Sequence, residues 1–293
     1  MPIKYLLELL LLAAVWGASF IFMRTTAPDF GPIMLITLRT GIAAVFLLPF
    51  LIKAKLLSQL KEHWQVIFIV GLSNTAIPFC LFSYSTLYLG AGYASILNAT
   101  APMFGAIIGF FWLKDHLSNM AILGLFIGFC GVLTLSVARD AEFSAEALLP
   151  VFAALLATLS YGAAACYTKK HIIGIQALTV ATGSQCFAFL CLAPLSLLFW
   201  PEQMPGLNSW LQVGVLGVVC TAFAYILYFR LIANIGSAKA ITVAYLVPVF
   251  GVLWGLVFLE EHLSPGMWAG ASLVILGVAL TTGLLSRKSL ATA

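Results

Sequence analysis

Charge is what this chain has least of. Asp, Glu, Lys and Arg make up 8% of its 293 residues, against roughly 25% in soluble globular domains. That leaves too little polar surface to cover a soluble fold of this size, so a water-soluble domain is excluded. Alternating polar and apolar stretches are also missing, which excludes a membrane-spanning β-barrel. The catalytic vocabulary is absent too: there is no HExxH, no GxSxG, no Walker loop and no acidic pair within an apolar run. Cysteines 80, 130, 166, 186, 191 and 220 have no CxxC spacing, and they read as small packing residues rather than disulfides or ligands. His63, His116, His171 and His262 fall at segment ends without metal-ligand spacing. No metal, no cofactor and no enzyme active site is expected.

Apolar residues fill the chain instead, at 62%. A bilayer core of about 30 Å needs roughly 20 of them per helix. Ten such runs can be marked, near 5–23, 33–52, 64–84, 92–113, 119–138, 148–168, 177–200, 208–230, 239–259 and 266–285. The first, with Lys4 ahead of it, is expected to stay as an uncleaved helix rather than a signal peptide. With a cytoplasmic N-terminus, eleven of the fourteen Lys and Arg residues fall at inner ends, Arg287 and Lys288 of the tail among them. Only Arg24 and Arg139 fall at outer ends, and Arg39 lies within a run. That bias predicts both termini inside. The net charge of +4 therefore reports topology rather than affinity for nucleic acid.

The chain also writes itself twice. Pro102 to Thr134 returns 146 residues later as Pro248 to Leu280, with Phe104 on Phe250, Gly105 on Gly251 and Gly109 on Gly255. His116–Leu117–Ser118 falls on His262–Leu263–Ser264, and Thr75–Ala76 on Thr221–Ala222. Between Gly71 and Val132, 17 of 62 positions are identical to their partners. Further back, Trp16–Gly17–Ala18 matches Tyr161–Gly162–Ala163. Five helices per copy is an odd number, so the second copy enters the membrane upside down. The expected fold is all-α integral membrane, ten transmembrane helices as two inverted five-helix repeats over 1–139 and 147–286.

Pro248, Phe250, Gly255, Leu259, Glu261, Leu263, Gly270, Gly277 and Val278, with Trp16, Gly17, Phe20 and Leu38–Arg39, carry a pattern that resembles the ten-helix, EamA-type branch of the drug/metabolite transporter superfamily. The first copy departs from that pattern with Asp115 and Lys114. The resemblance implies a bacterial inner-membrane exporter of amino acids or other small metabolites, with a cavity lined by helices 1, 3, 4, 6, 8 and 9. A lipid or lipid-linked sugar translocase is the alternative. The partners expected are a small-molecule substrate and the bilayer, in a monomer or weak homodimer, and a coupled proton is left open.

Trp16, Asn74, Asn98, Tyr161, Tyr225 and Tyr245 are the candidate substrate-binding residues, because amphipathic rings and amides on those helices suit small amphipathic solutes. Pro102 and Pro248 are candidate hinges, each removing a backbone donor at the same place in its copy. Glu8 and Arg39 are the intramembrane charges. Glu8 is expected to reach the inner headgroups or to pair with Lys4, with a coupling proton as its sharper role. Arg39 is expected to bond helix-end carbonyls or a neighbouring hydroxyl, to bind a substrate carboxylate, or to snorkel outward. Asp115 and Glu261 are expected as interfacial caps and loop anchors.

Overall fold

The structure, a computed structural model, describes residues 2–139 and 145–283. The tail from residue 284, with Arg287, Lys288 and the expected end of the second repeat at 286, lies outside the described residues. Every regular element among the described residues is helical. Eight helices are long and apolar enough to cross a membrane. They are α1 (Ile3–Phe30), α2 (Pro32–Lys53), α3 (Trp64–Tyr88), α4 (Ala91–Leu113), α5 (Asn119–Arg139), α6 (Ala145–His171), α7 (Ala177–Ser196) and α8 (Leu207–Ile235). Two shorter apolar helices follow, α9 (Val243–Phe258) and α10 (Pro265–Thr281), of 16 and 17 residues. The ninth run expected from sequence is thus cut: Ser237–Ala240 forms its own turn, and the chain breaks at Ile241–Thr242 before α9 begins. Large side chains such as Val45, Phe111, Phe126, Phe152 and Leu198 stand exposed on the outside of the bundle. Such a surface is stable against lipid and not against water.

Glycines set how closely these helices approach. A Cβ on Gly17 of α1 would lie 2.8 Å from Phe250 Cβ and 2.9 Å from Gly251 N of α9. A Cβ on Gly162 of α6 would lie 2.6 Å from Gly105 N of α4. The α5–α10 pair is packed the same way, since a Cβ on Gly277 would fall 2.4 Å from Gly128 Cα. Lipid offers no hydrophobic drive between helices, so this backbone proximity and its dispersion energy hold them together.

Two ends of the bundle can be told apart. At one, the Gln59 side chain donates to the Gly174 carbonyl and accepts from Gln176 N at 3.0 Å and from Thr179 Oγ1 at 2.8 Å. Lys169 at the end of α6 pairs with Asp115 after α4 at 2.8 Å, and Glu8 at the start of α1 pairs with Arg230 near the end of α8 at 3.0 Å. This is the lysine-rich end, which α1 leaves and α6 reaches. At the opposite end Ser209 donates to Asp29, and Arg24 of α1 donates to the Thr86 and Leu87 carbonyls of α3.

The hinge positions differ between the copies. Helix α4 is two segments, Ala91–Asn98 and Ala101–Ile108, separated by a turn at Ala99–Thr100 and followed by a π-helical turn Gly109–Leu113. Pro102 sits in the first turn of the second segment, where a missing N–H costs nothing. Pro248 instead lies within the continuous α9, six residues past the break at Thr242. The two prolines therefore do not occupy equivalent bends, as the repeat led one to expect. In the second copy the backbone gives way earlier.

Candidate functional site

The chemistry converges where α3 and α8 loosen. Each carries one π-helical turn, Leu72–Ala76 and Val218–Phe223, and these hold Thr75 and Thr221 at the shared repeat position. A π turn widens the helix by one residue and re-aims its side chains, and such turns recur at functional sites. The Thr221 hydroxyl donates to the Leu216 carbonyl and accepts from Arg39 Nε at 2.9 Å. Arg39 reaches it from the middle of α2 and is 4% exposed. Its guanidinium lies 3.9 Å from the ring centre of Phe79 on α3, and Nη1 sits 3.6 Å from Met23 Sδ on α1. Tyr161 on α6 and Cys220 and Tyr225 on α8 are the titratable groups facing it, and none is a carboxylate.

An aromatic wall continues from this point. Trp16 meets Tyr225 edge-on at 6.4 Å and Tyr228 at 5.3 Å. Tyr161 stacks on Phe82 at 6.1 Å, and Phe82 meets Phe20 edge-on at 5.6 Å. The Tyr225 hydroxyl faces the Thr75 side chain. Trp16, Tyr161 and Tyr225 are only half-buried although α1, α3, α6 and α8 all contribute around them.

Burying an arginine at mid-membrane depth costs roughly 2.5 kcal/mol or more. A desolvated cation–π contact returns about 2 kcal/mol, and a charged hydrogen bond about 1.5–3 kcal/mol. The Phe79 face and the Thr221 hydroxyl thus offset the burial without neutralising the charge. The repeat places Ser184 or Gln185 of α7 opposite Arg39. Gln185 is fully buried, with neither amide atom bonded among the described residues, and α7 packs on the π turn of α3 as α2 packs on that of α8.

Of the residues singled out by sequence, Trp16, Tyr161, Tyr225 and Arg39 come together here. Asn74 is half-buried in the π turn of α3, and Asn98 is the last, half-buried residue of the first α4 segment. Tyr245 packs on the main hydrophobic core with its hydroxyl toward Thr282 beyond α10. Glu8 corrects its expectation. It pairs with Arg230 of α8 rather than with Lys4, which lies over the Tyr5 ring. A lysine four residues ahead of a glutamate is the weaker helical order, and the Tyr5–Asn234 hydrogen bond at 2.8 Å already holds α1 against α8 at this level. Met23, Phe79, Phe82 and Thr221 were not legible as site residues. The echo of Thr75 in Thr221 was the signal that could have found the last.

The two loops after α4 and α9 share one backbone and use it differently. Lys114 and Glu260 both take a left-handed conformation, at φ 60° and 52°. Asp115 N then donates to Gly109 O, and Glu261 N to Gly255 O, each at 3.1 Å. The Glu261 carboxylate accepts from Ala91 N at 2.6 Å and Gly92 N at 3.0 Å, capping the start of α4 and joining it to α9. Asp115, its repeat partner, is instead half-exposed on Lys169. Helix α9 packs against Ala91–Asn98, whereas Ala101–Ile108 packs against α6.

Comparison with known proteins agrees with this architecture. The EamA-like transporter family profile matches residues 3–137 and again 148–283. Uncharacterized transporter YoaV of Bacillus subtilis (strain 168) is 26% identical, over 98% of this chain and 99% of its own. Uncharacterized inner membrane transporter YedA of Escherichia coli (strain K12) is 24% identical, over 92% and 87%. A solved crystal structure, 18% identical, shares the fold with a TM-score of 0.68 over 98% of this chain and 99% of the other. With many apolar helices, a polar and aromatic cluster within the bundle, and a family profile that matches both halves, the chain is a multi-pass membrane protein that belongs to the EamA-like transporter family, within the drug/metabolite transporter superfamily.

Proposed function

We propose that the protein exports small amphipathic metabolites, amino acids foremost, across the bacterial inner membrane. It does so as a ten-span secondary transporter of two inverted five-helix repeats, 1–139 and 147–286, with both termini cytoplasmic. The observation that carries this reading is the half-buried cluster of Trp16, Tyr161 and Tyr225 around Arg39, drawn from α1, α2, α6 and α8 into the bundle interior. A mixed aromatic and polar wall of this kind suits solutes that carry both apolar and polar parts.

The inverted arrangement is supported by matched crossings, Gly17 on Gly251 and Gly162 on Gly105, and by α1 leaving the end that α6 reaches. Alternating access is supported by the unequal loops. Glu261 ties α9 to α4 at one end, while at the other Asp115 pairs with Lys169 of α6. Two copies of one design, one latched and one not, are what a transporter open to a single side contains.

The test is flux by purified protein in liposomes, as counterflow of a labelled amino-acid panel with and without a pH gradient. Saturable uptake of at least one amphipathic solute is expected. Scrambling of labelled phospholipid without solute flux would replace this reading with the translocase.

A further inference from the structure

The charge on Arg39 has no counter-ion among the described residues. The groups that face it are two tyrosines and a cysteine. Among the described residues, Glu8 is engaged by Arg230, Asp29 by Ser209, Asp115 by Lys169 and Glu261 by the start of α4. Thr221 takes Nε and the Phe79 ring covers one face, which fixes the guanidinium plane. The remaining edge, Nη1 and Nη2, meets no oxygen among the described residues. Nη1 has only the Met23 sulfur at 3.6 Å, a weak acceptor.

A planar fork fixed by Thr221 and Phe79, whose Nη1–Nη2 edge meets a sulfur but no oxygen among the described residues, matches a carboxylate bidentately. Resting on the transporter reading above, we infer that the transported solute carries a carboxylate that docks on the Nη1–Nη2 edge of Arg39. Its apolar part lies along Trp16, Tyr225 and Tyr161. Arg39 is then the residue that sets substrate class. It selects acids over the corresponding amides and esters, because a neutral group leaves the buried charge unmatched. The Thr221 hydroxyl and the Phe79 ring act as positioning groups that hold the fork in plane.

The experiment compares uptake of an amino acid with that of its carboxamide and its methyl ester, in liposomes holding wild type, Arg39→Gln or Arg39→Lys. Ligand-induced thermal shifts of the same proteins in detergent supply a readout that needs no transport. Wild type should favour the acid by about tenfold or more, equivalent to about 1.4 kcal/mol. Arg39→Gln should bring the acid-to-amide ratio close to one, and Arg39→Lys, which keeps a charge but loses the fork, should fall between them. Equal handling of acid and amide by wild type overturns the assignment, and so does an unchanged ratio in folded Arg39→Gln. If Arg39→Gln does not fold, an unchanged ratio in Arg39→Lys overturns it equally. Uptake of amides and esters alone overturns this inference and leaves the transporter reading standing, whereas a wild type that moves none of the three solutes counts against both.

Discussion

Consider the replacement Glu261→Gln. The carboxylate accepts two backbone hydrogen bonds, at 2.6 and 3.0 Å, from the first amides of α4. Hydrogen bonds to a charged acceptor are worth about 1.5–3 kcal/mol against about 0.5–1.5 kcal/mol for neutral ones. A negative charge at a helix N-terminus adds about 0.3–1 kcal/mol. Glutamine keeps one acceptor oxygen, turns an amide N–H₂ toward the other donor and removes the charge. The α4–α9 tie should therefore weaken by about 1–3 kcal/mol, which is about a 5- to 150-fold shift toward the state open at that end. Spin labels at positions 88 and 258, at the ends of α3 and α9, in a cysteine-free background would read the change as a longer component in the distance distribution. Asp115→Asn is the mirrored control. It removes a half-exposed partner of Lys169, and such a pair contributes at most about 1 kcal/mol, so the same label pair should report no opening. Unchanged distances in a folded Glu261→Gln protein would refute the latch.

The glycine seams should answer to side-chain volume. Gly277→Ala places a methyl 2.4 Å from Gly128 Cα and is expected to lower stability by about 1–3 kcal/mol in detergent melts. Gly214→Ala, with nothing within 4 Å inside α8, should raise it by about 0.5–1 kcal/mol. Glu8→Gln takes the partner from Arg230, which is half-exposed, so a loss of about 1 kcal/mol is expected. Because Glu8 is committed to that pair, flux should keep its response to a pH gradient. A response that disappears would make Glu8 the proton carrier after all.

The helices were legible because apolar runs of bilayer length have one stable backbone solution. The crossings were not: glycines recur at matched positions, but which helices they bring together appears only in the fold. What sequence could not give was local backbone geometry. The π turns around Thr75 and Thr221 have no compositional signature, and neither does the break at Ile241–Thr242 that separates the behaviour of Pro248 from that of Pro102. The site was half legible for the same reason. Trp16, Tyr161, Tyr225 and Arg39 announce themselves by residue type at mid-span. Phe79, Phe82 and Met23 look like any other apolar residue until the fold brings them against the guanidinium. Tyr245 looked equally apt, and its hydroxyl lies toward Thr282, a partner that residue type alone does not announce.

The two mirrored bends at Lys114 and Glu260 leave room for engineering. An L-residue with a side chain pays roughly 1 kcal/mol or more to sit in left-handed backbone, and this chain does so at both corners. Glycine or asparagine at either corner would relieve that cost without touching a helix. A laboratory wanting a sturdier specimen for crystals or grids has two ready positions at which to find it.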